Sequence, residues 1–453
     1  MKIRFCKSGD LTIKYNILFV AVYALCACLY LADFYSVAGI IMMIYSVAQY
    51  IYISKTRNTL LDLKAIFILT WCMTFGMAML RLLAYEFKWS TKFLFAEFLG
   101  MFVLLIAIDI GAGFFNSSRI EKESDYFDND RPFSKKLYNF VLFFVGFAFA
   151  CFAINYLRTG IIPLFSSNRS AYVEISSKFL ALEIGMAPVS GMAYYCLTGK
   201  GINNLQKLVM WLCIGLNVFV FPILNLSRGN LVANIVMFFA AFYFCSPNLR
   251  KSLRRIFFIA LIAIFFLTLK RDFSALQLST YTPPFLQDKP TLASMFVYLT
   301  SSHDNFALNI DNFSNFSHGW GMFEMFNEFL NIQWIEDIVQ NSYNSLDRVQ
   351  LFLNVNDMFG SFYYDLGFFG IILWDLLWGI LWGVTEKWFE AENSPISCMA
   401  YGISLYCVAF AFFTDKTGFV SFMWYGMTFL CSVVMHVNIK TEYSDQFNNI
   451  SRG

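Results

Sequence analysis

Almost from end to end, the chain is cut into apolar runs close to the length of a membrane-crossing helix, and this spacing limits what it can fold into. A bilayer core about 30 Å thick takes about 20 helical residues. Runs of that order, separated by charges or turn residues, fall near 15–32, 34–53, 65–83, 93–115, 138–157, 179–197, 207–226, 229–245, 255–269, 361–384, 396–413 and 417–438. Of these about twelve runs, 255–269 is the shortest. With 58% of residues hydrophobic and 14% charged, the excess of apolar surface is too large for a soluble core to hide. A net charge of +2 leaves no basic field for a phosphate backbone, so nucleic acid is not an expected partner. The expected fold is all-α: a polytopic membrane helix bundle of about 12 transmembrane helices, with a large, partly helical periplasmic loop.

The opening Met1-Lys2-Ile3-Arg4 before an apolar stretch has the look of a secretory signal, but Asp33 is followed at once by a second run, which favours a retained first helix. The eleven cysteines are scattered singly through apolar stretches, with Cys26 and Cys28 the closest pair, and show neither zinc nor redox spacing. An even number of spans puts both termini on one side. With that side cytoplasmic, about 21 of the 33 Lys and Arg residues fall inside, anchored by Arg250-Lys251-Ser252-Leu253-Arg254-Arg255. The organisation expected is a bundle of nine spans over 1–269, a periplasmic segment over 270–356, three more spans over 357–440, and a cytoplasmic tail over 441–453. A structureless loop as long as 270–356 is improbable. Pro290 suits a first helical position, and Leu292, Met295, Phe296, Leu299, Phe306 and Ile310 recur at helical spacing. A second stripe, Met322, Phe323, Met325, Phe326, Phe329 and Leu330, suggests a short helix lying along the membrane or packing on the bundle.

In such a chain the informative residues are ionisable groups at depth, each of which needs a partner, water or a job. Arg158 ends the fifth run, Arg169 follows in Ile161-Ile162-Pro163-Leu164-Phe165-Ser166-Ser167-Asn168-Arg169, Arg228 sits in Asn225-Leu226-Ser227-Arg228-Gly229-Asn230, and Arg271 closes the ninth. Arg228, beside a glycine at a helix start, adds a guanidinium fork to free backbone N–H groups, a combination suited to phosphate. Two or three such cations around one outer cleft would hold a diphosphate without metal; the plainer alternative is interfacial anchors with snorkelling stems. Glu183 falls inside the sixth run and Asp365 opens the tenth. Either acid serves as a counter-ion for an arginine or, with a raised pKa, takes a proton from an attacking hydroxyl. Asp109 and Asp375 look structural. His303 and His318 lie in the outer segment, where each is either a general base or simply solvated. Two histidines there build no metal triad, so neither metal nor cofactor is expected. The dense aromatics of the segment suit sugar faces or an interfacial belt.

At residue level, three stretches resemble the Wzy-type O-antigen polymerases: Gly160-Ile161-Ile162-Pro163-Leu164-Phe165 through Arg169, Ser227-Arg228-Gly229, and Tyr364-Asp365-Leu366-Gly367 with Gly370. The resemblance covers the whole chain in topology and extends to the high Phe and Ile content. It implies an inner-membrane glycosyltransferase that joins undecaprenyl-diphosphate-linked oligosaccharide repeats on the periplasmic face, with a chain-length regulator as partner and no nucleotide sugar. Arg228 and Arg169 would then grip the donor diphosphate with help from Arg158 and Arg271, while His303, Asp365 or Glu183 activates the acceptor hydroxyl. An O-antigen ligase, passing the chain to lipid A core, and a lipid-linked oligosaccharide flippase are the rival readings.

Overall fold

The computed structural model describes residues 8–57, 59–82, 87–114, 133–166, 177–225, 227–245, 290–323, 332–347, 356–392, 394–414, 417–418 and 421–433. Among these the chain is helical, without a sheet. The helices are α1 Ser8–Leu31, α2 Tyr35–Arg57, α3 Leu63–Met79, α4 Thr91–Gly113, α5 Lys135–Thr159, α6 Ser177–Ile184, α7 Pro188–Leu197, α8 Asn204–Gly215 with its continuation to Leu224, α9 Arg228–Cys245, α10 Pro290–Asn309, α11 Gln333–Asn344, α12 Met358–Glu392, α13 Pro395–Phe410 and α14 over 421–433. Six segments are long and apolar enough to cross a membrane: Tyr35–Arg57, Thr91–Gly113, Lys135–Thr159, Phe179–Leu197, Asn204–Leu224 and Met358–Ala391. Tyr15–Leu31, Leu63–Met79, Gly229–Tyr243 and Pro395–Phe410 are shorter apolar helices. The expected run 255–269 lies outside the described residues, as does most of the second stripe after Phe323. Large side chains such as Phe143, Phe149, Leu157, Leu208 and Phe369 are exposed on these helices, which water would not tolerate and lipid does.

The chain falls into two compact units. The first holds Met1–Asn116, Thr268–Lys387 and Cys407–Phe419; the second holds Ser117–Leu267, Trp388–Tyr406 and Val420–Gly453.

In the first unit, glycines set the helix contacts. A Cβ on Gly39 would lie 2.5 Å from the Gly76 carbonyl oxygen, so α2 and α3 touch backbone to backbone. Between α4 and α12, a Cβ on Gly111 would lie 2.1 Å from the Ile380 oxygen, and one on Gly383 2.1 Å from the Ile108 oxygen. Gly379 lies against Leu104 and Ala107, and Gly383 one turn later against Ile108 and Ala112, so along this contact the numbers rise together and α4 and α12 run parallel. The same unit buries a polar cluster that loop-counting missed. Lys64, one of the about 21 charges counted on the cytoplasmic side, is fully buried on α3. Its Nζ donates to Asp109 Oδ2 at 2.6 Å and to Asn16 Oδ1 at 2.9 Å. Arg57 pairs with Asp62 at 2.6 Å, and Asp62 caps α3 by accepting the Ala65 N–H.

Helix α10 begins at Pro290, as the sequence pattern predicts, but it does not lie with one face free. Of residues 300–310 only Leu308 is even half-exposed. The polar run Thr300-Ser301-Ser302-His303-Asp304-Asn305 is thus buried inside the first unit, and His303 is not solvated.

The second unit contains an interrupted helix where one continuous span was expected. α6 and α7 are separated by a turn at Gly185–Ala187, because Pro188 brings no N–H to carry the ladder onward. Carbonyls at the turn accept three-residue backbone bonds and a second donor from elsewhere: Trp424 Nε1 donates to Ile184 O at 3.0 Å, and Asn217 Nδ2 to Met186 O at 2.9 Å. Helix α8 widens into a π turn over Leu216–Val220, just ahead of Pro222, with the Phe221 N–H reaching back to Leu216 O.

Gly383→Ala should destabilise the protein by on the order of 1–3 kcal/mol, since its new methyl meets fixed backbone. In mild detergent this is expected as a lower Tm and a loss of monodisperse protein. Gly426→Ala, with no atom within 4 Å of the added Cβ, should leave both unchanged.

Candidate functional site

Four elements of the first unit converge on His303: α3, α4, α10 and the residue before α12. Its Nδ1 lies 3.2 Å from Glu97 Oε1 and 3.0 Å from Asp357 Oδ2, and its Nε2 lies 3.2 Å from Thr74 Oγ1. All three charged side chains are wholly buried. Each carboxylate is held at its far end as well: Trp71 Nε1 donates to Glu97 Oε2 at 3.0 Å, and the Gly360 N–H donates to Asp357 Oδ1 at 2.7 Å, which makes Asp357 the N-cap of α12. The Thr74 hydroxyl donates to a carbonyl of its own helix, Thr70 O at 3.0 Å or Trp71 O at 3.1 Å. With that proton committed, Nε2 is the donor toward Thr74, and Nδ1 meets two carboxylates only as N–H, so the ring is an imidazolium. Burial pushes the His303 pKa down, but the charges and hydrogen bonds of Glu97 and Asp357 outweigh it and hold the pKa up at about 10. The rings of Trp71 and Phe75 approach the imidazole edge-on at 5.3 and 5.5 Å and close the pocket.

The donor atoms of Glu97, His303 and Asp357 lie within 4.8 Å of one another, the spacing of three ligands around one cation. With the imidazolium proton between the two carboxylates, the trio has no open position for a substrate, because its remaining atoms are hydrogen-bonded inside the protein. Its work is to fix α10.

His303's neighbour Asp304, itself almost wholly buried, lines a narrow cleft with Ala78, Arg81, Leu82, Phe87, Trp89, Phe296 and Thr300. Asp304 Oδ1 accepts from Trp89 Nε1 at 3.0 Å. Burial raises the Asp304 pKa to about 7, against the lowering effects of the Trp89 hydrogen bond and of the positive His303 and Arg81. Arg81 has a left-handed backbone, φ 49°, and its guanidinium donates to Phe87 O at 2.9 Å and lies 4.9 Å from the centre of the Tyr35 ring.

Asp365 marks a break in α12, where Leu366 and Gly367 leave helical geometry and Gly367 takes φ 65°, ψ −148°, a conformation open to glycine. The freed carbonyls of Tyr364 and Asp365 accept the N–H groups of Ser317 and His318 at 3.1 and 2.9 Å. The carboxylate itself accepts from the Ser317 hydroxyl, from the Gly319 and Gly321 N–H groups at 2.9 and 3.1 Å, and from Trp374 Nε1 at 2.9 Å. Asp365 therefore straps the 317–321 turn to the helix break. His318, with φ 55°, is exposed in that turn.

In the second unit, Glu183 is buried and both its oxygens accept from Asn225 Nδ2, at 2.7 and 2.9 Å. Arg158 is exposed at the end of α5, its guanidinium 5.5 Å from the Phe179 ring centre. Arg228 is the first residue of α9; its side chain, like Arg169 and Arg271, lies outside the described residues. Sequence reasoning missed Glu97, Asp357 and Asp304. Glu97 had a legible signal, a lone acid in the apolar Phe95-Ala96-Glu97-Phe98-Leu99. No protein-family model, curated protein or solved structure matches the chain.

The folded pKa of His303 stands above its unfolded value near 6.5, so its stabilisation is whole below about pH 6.5 and is lost as pH rises through about 10. Thermal melts in detergent should show that loss. His303→Ala should remove it and cost about 3–5 kcal/mol, because two buried carboxylates lose their cation. Lys88→Ala, at the exposed pair with Asp33, should leave the Tm where it was.

Proposed function

We propose that the protein is a membrane glycosyltransferase that polymerises undecaprenyl-diphosphate-linked oligosaccharide repeat units into O-antigen polysaccharide on the periplasmic face of a bacterial inner membrane. The observation that carries the reading is the set of buried ionisable groups, Glu97, His303, Asp357 and Asp304, gathered in one apolar helical unit. Burying such groups is costly, and in a chain built to meet lipid they are retained where chemistry needs them. A sugar acceptor needs a group to take a hydroxyl proton, and a lipid diphosphate donor needs cations, a role the reading gives to Arg228, Arg169, Arg158 and Arg271. Its partners are the lipid-linked donor and acceptor, membrane lipids and a chain-length regulator; no nucleic acid enters.

The parallel run of α4 and α12 supports the twelve-span topology. Parallel neighbours need an odd number of crossings between them, and α5, the α6–α7 pair, α8 and α9 supply four. The apolar run 255–269 is the one left to supply the fifth. On this reading the segment holding α10 lies on the same side as the start of α4, and the positive-inside bias makes the side of both termini the cytoplasm. A reporter enzyme active only in the periplasm should therefore be silent when fused after residue 250 and active when fused after residue 280; equal signals would remove the crossing.

The interrupted helices at Gly185–Ala187 and Leu366–Gly367 favour a second reading, since carriers of the flippase kind place such breaks at substrate sites. Deletion followed by lipopolysaccharide gels separates the readings. A core-plus-one-unit band marks a polymerase, bare core with accumulated lipid-linked polymer marks a ligase, and bare core with units trapped inside marks a flippase. Arg228→Ala should abolish long chains and leave core-plus-one; a normal ladder would end its assigned role.

A further inference from the structure

Glu97, His303 and Asp357 reach one point from α4, α10 and the N-cap of α12, and they bring mixed donors, two carboxylate oxygens and one imidazole nitrogen. Nδ1 stands 3.2 Å from Glu97 Oε1 and 3.0 Å from Asp357 Oδ2. Ligand atoms held about 2.0–2.1 Å from a tetrahedral zinc ion stand about 3.3–3.4 Å apart, so the trio needs to open only slightly to become a coordination shell.

Charge points the same way, independently of spacing. Among the described residues the only charged group paired with either carboxylate is His303. An imidazolium between two carboxylates leaves one negative charge over in a site with no exposed surface, whereas a neutral imidazole with a divalent ion between the same carboxylates leaves none. Each ligand is also oriented from behind. Trp71 Nε1 holds the outer oxygen of Glu97 at 3.0 Å, the Gly360 N–H holds that of Asp357 at 2.7 Å, and Nε2 donates to Thr74 Oγ1 at 3.2 Å. A ring whose Nε2–H is committed to an outer oxygen presents Nδ1 as the ligand, the arrangement that fixes metal-bound histidines.

We propose that the trio is a structural site for a divalent transition ion, Zn2+ above all, which takes the place of the Nδ1 proton. The ion bonds to Glu97 Oε1, His303 Nδ1 and Asp357 Oδ2, and the displaced proton leaves to solvent. An imidazole with two carboxylates, and no thiolate among the three, suits Zn2+, with Mn2+ or Fe2+ next. Without metal, the imidazolium keeps the same place. The ion bridges α4, α10 and α12, and because no ligand is exposed it enters as the chain folds and is then held out of reach of chelators. Its role is to hold helices and not to meet substrate, so the assignment stands apart from the polymerase reading.

The test is metal analysis of the full chain, purified in mild detergent through a tag without histidines from cells grown with zinc in the medium. Inductively coupled plasma mass spectrometry should find about one zinc per chain, retained through gel filtration in EDTA. Asp357→Asn keeps the cap on the Gly360 N–H and the shape of the ligand but not its charge, and it should lower the zinc content of monodisperse protein by about tenfold or more. Zinc-edge X-ray absorption should show a shell of oxygen and nitrogen with the outer-ring scattering of one imidazole. Monodisperse wild-type protein holding less than about one transition-metal ion per ten chains would overturn the site, because protons alone then balance the trio. Zinc that EDTA strips from the folded protein, or that stays at the wild-type level in folded Asp357→Asn, would overturn it equally. Should that variant fail to fold, the wild-type metal content and absorption edge decide alone.

Discussion

A charge in an apolar interior must be met where it stands, and in the first unit that requirement is concentrated on His303. The imidazolium is met by one carboxylate from α4 and one from the N-cap of α12, with a hydroxyl from α3 on its other nitrogen. Four elements distant in sequence are thereby tied to a single ring. A hydrophobic contact tolerates sliding by a few tenths of an ångström, whereas these hydrogen bonds, each backed by a second bond at the far end of its carboxylate, do not. Once His303 is placed, the register of α10 is set. The rest of its polar run then finds partners of its own: Ser302 on the Phe412 carbonyl, Asn309 on the Asn305 and Asp347 carbonyls.

The same accounting governs the backbone. In an apolar surrounding no water waits to satisfy a broken helix, so each break brings its own donors. At Ile184 and Met186 they are an indole and an amide; at Tyr364 and Asp365 they are the N–H groups of a loop 48 residues away along the chain for the closest side-chain pair, Ser317 and Asp365. Each break also carries a buried acid beside it, Glu183 or Asp365, whose carboxylate is bonded to neutral donors rather than to a described cation. The two acids singled out in the sequence as proton acceptors thus sit where helices are interrupted and help hold the interruptions in shape.

Much of the architecture was legible because the solvent imposes it. Apolar length alone located most helices, and Pro290 marked the start of α10 to the residue. The failures have a common physical origin. Hydropathy reads Thr300-Ser301-Ser302-His303-Asp304-Asn305 as a solvated stretch, since it scores each residue for water and not for the partners that four other segments will bring. The burial of Lys64 was hidden for the same reason: Asp109 and Asn16 are remote in sequence, and their meeting with it depends on how α1, α3 and α4 pack. Glu97 was the exception. An acid amid Phe and Leu can be recognised without any knowledge of its partner, although its pairing with His303 and Asp357 cannot.

The trio and the cleft are not separate devices, because one aromatic stack serves both. Phe75 meets the His303 ring edge-on and stacks on Trp89. Trp89 in turn stacks on Tyr30 and holds the Asp304 carboxylate by its indole N–H. The trio gains a dry wall from this stack, which strengthens its ion pairs, and Asp304 gains a rigid donor that fixes its carboxylate. The ordering of the Asp304 carboxylate is done on folding, and α10 carries it and the imidazole of the trio within a single turn.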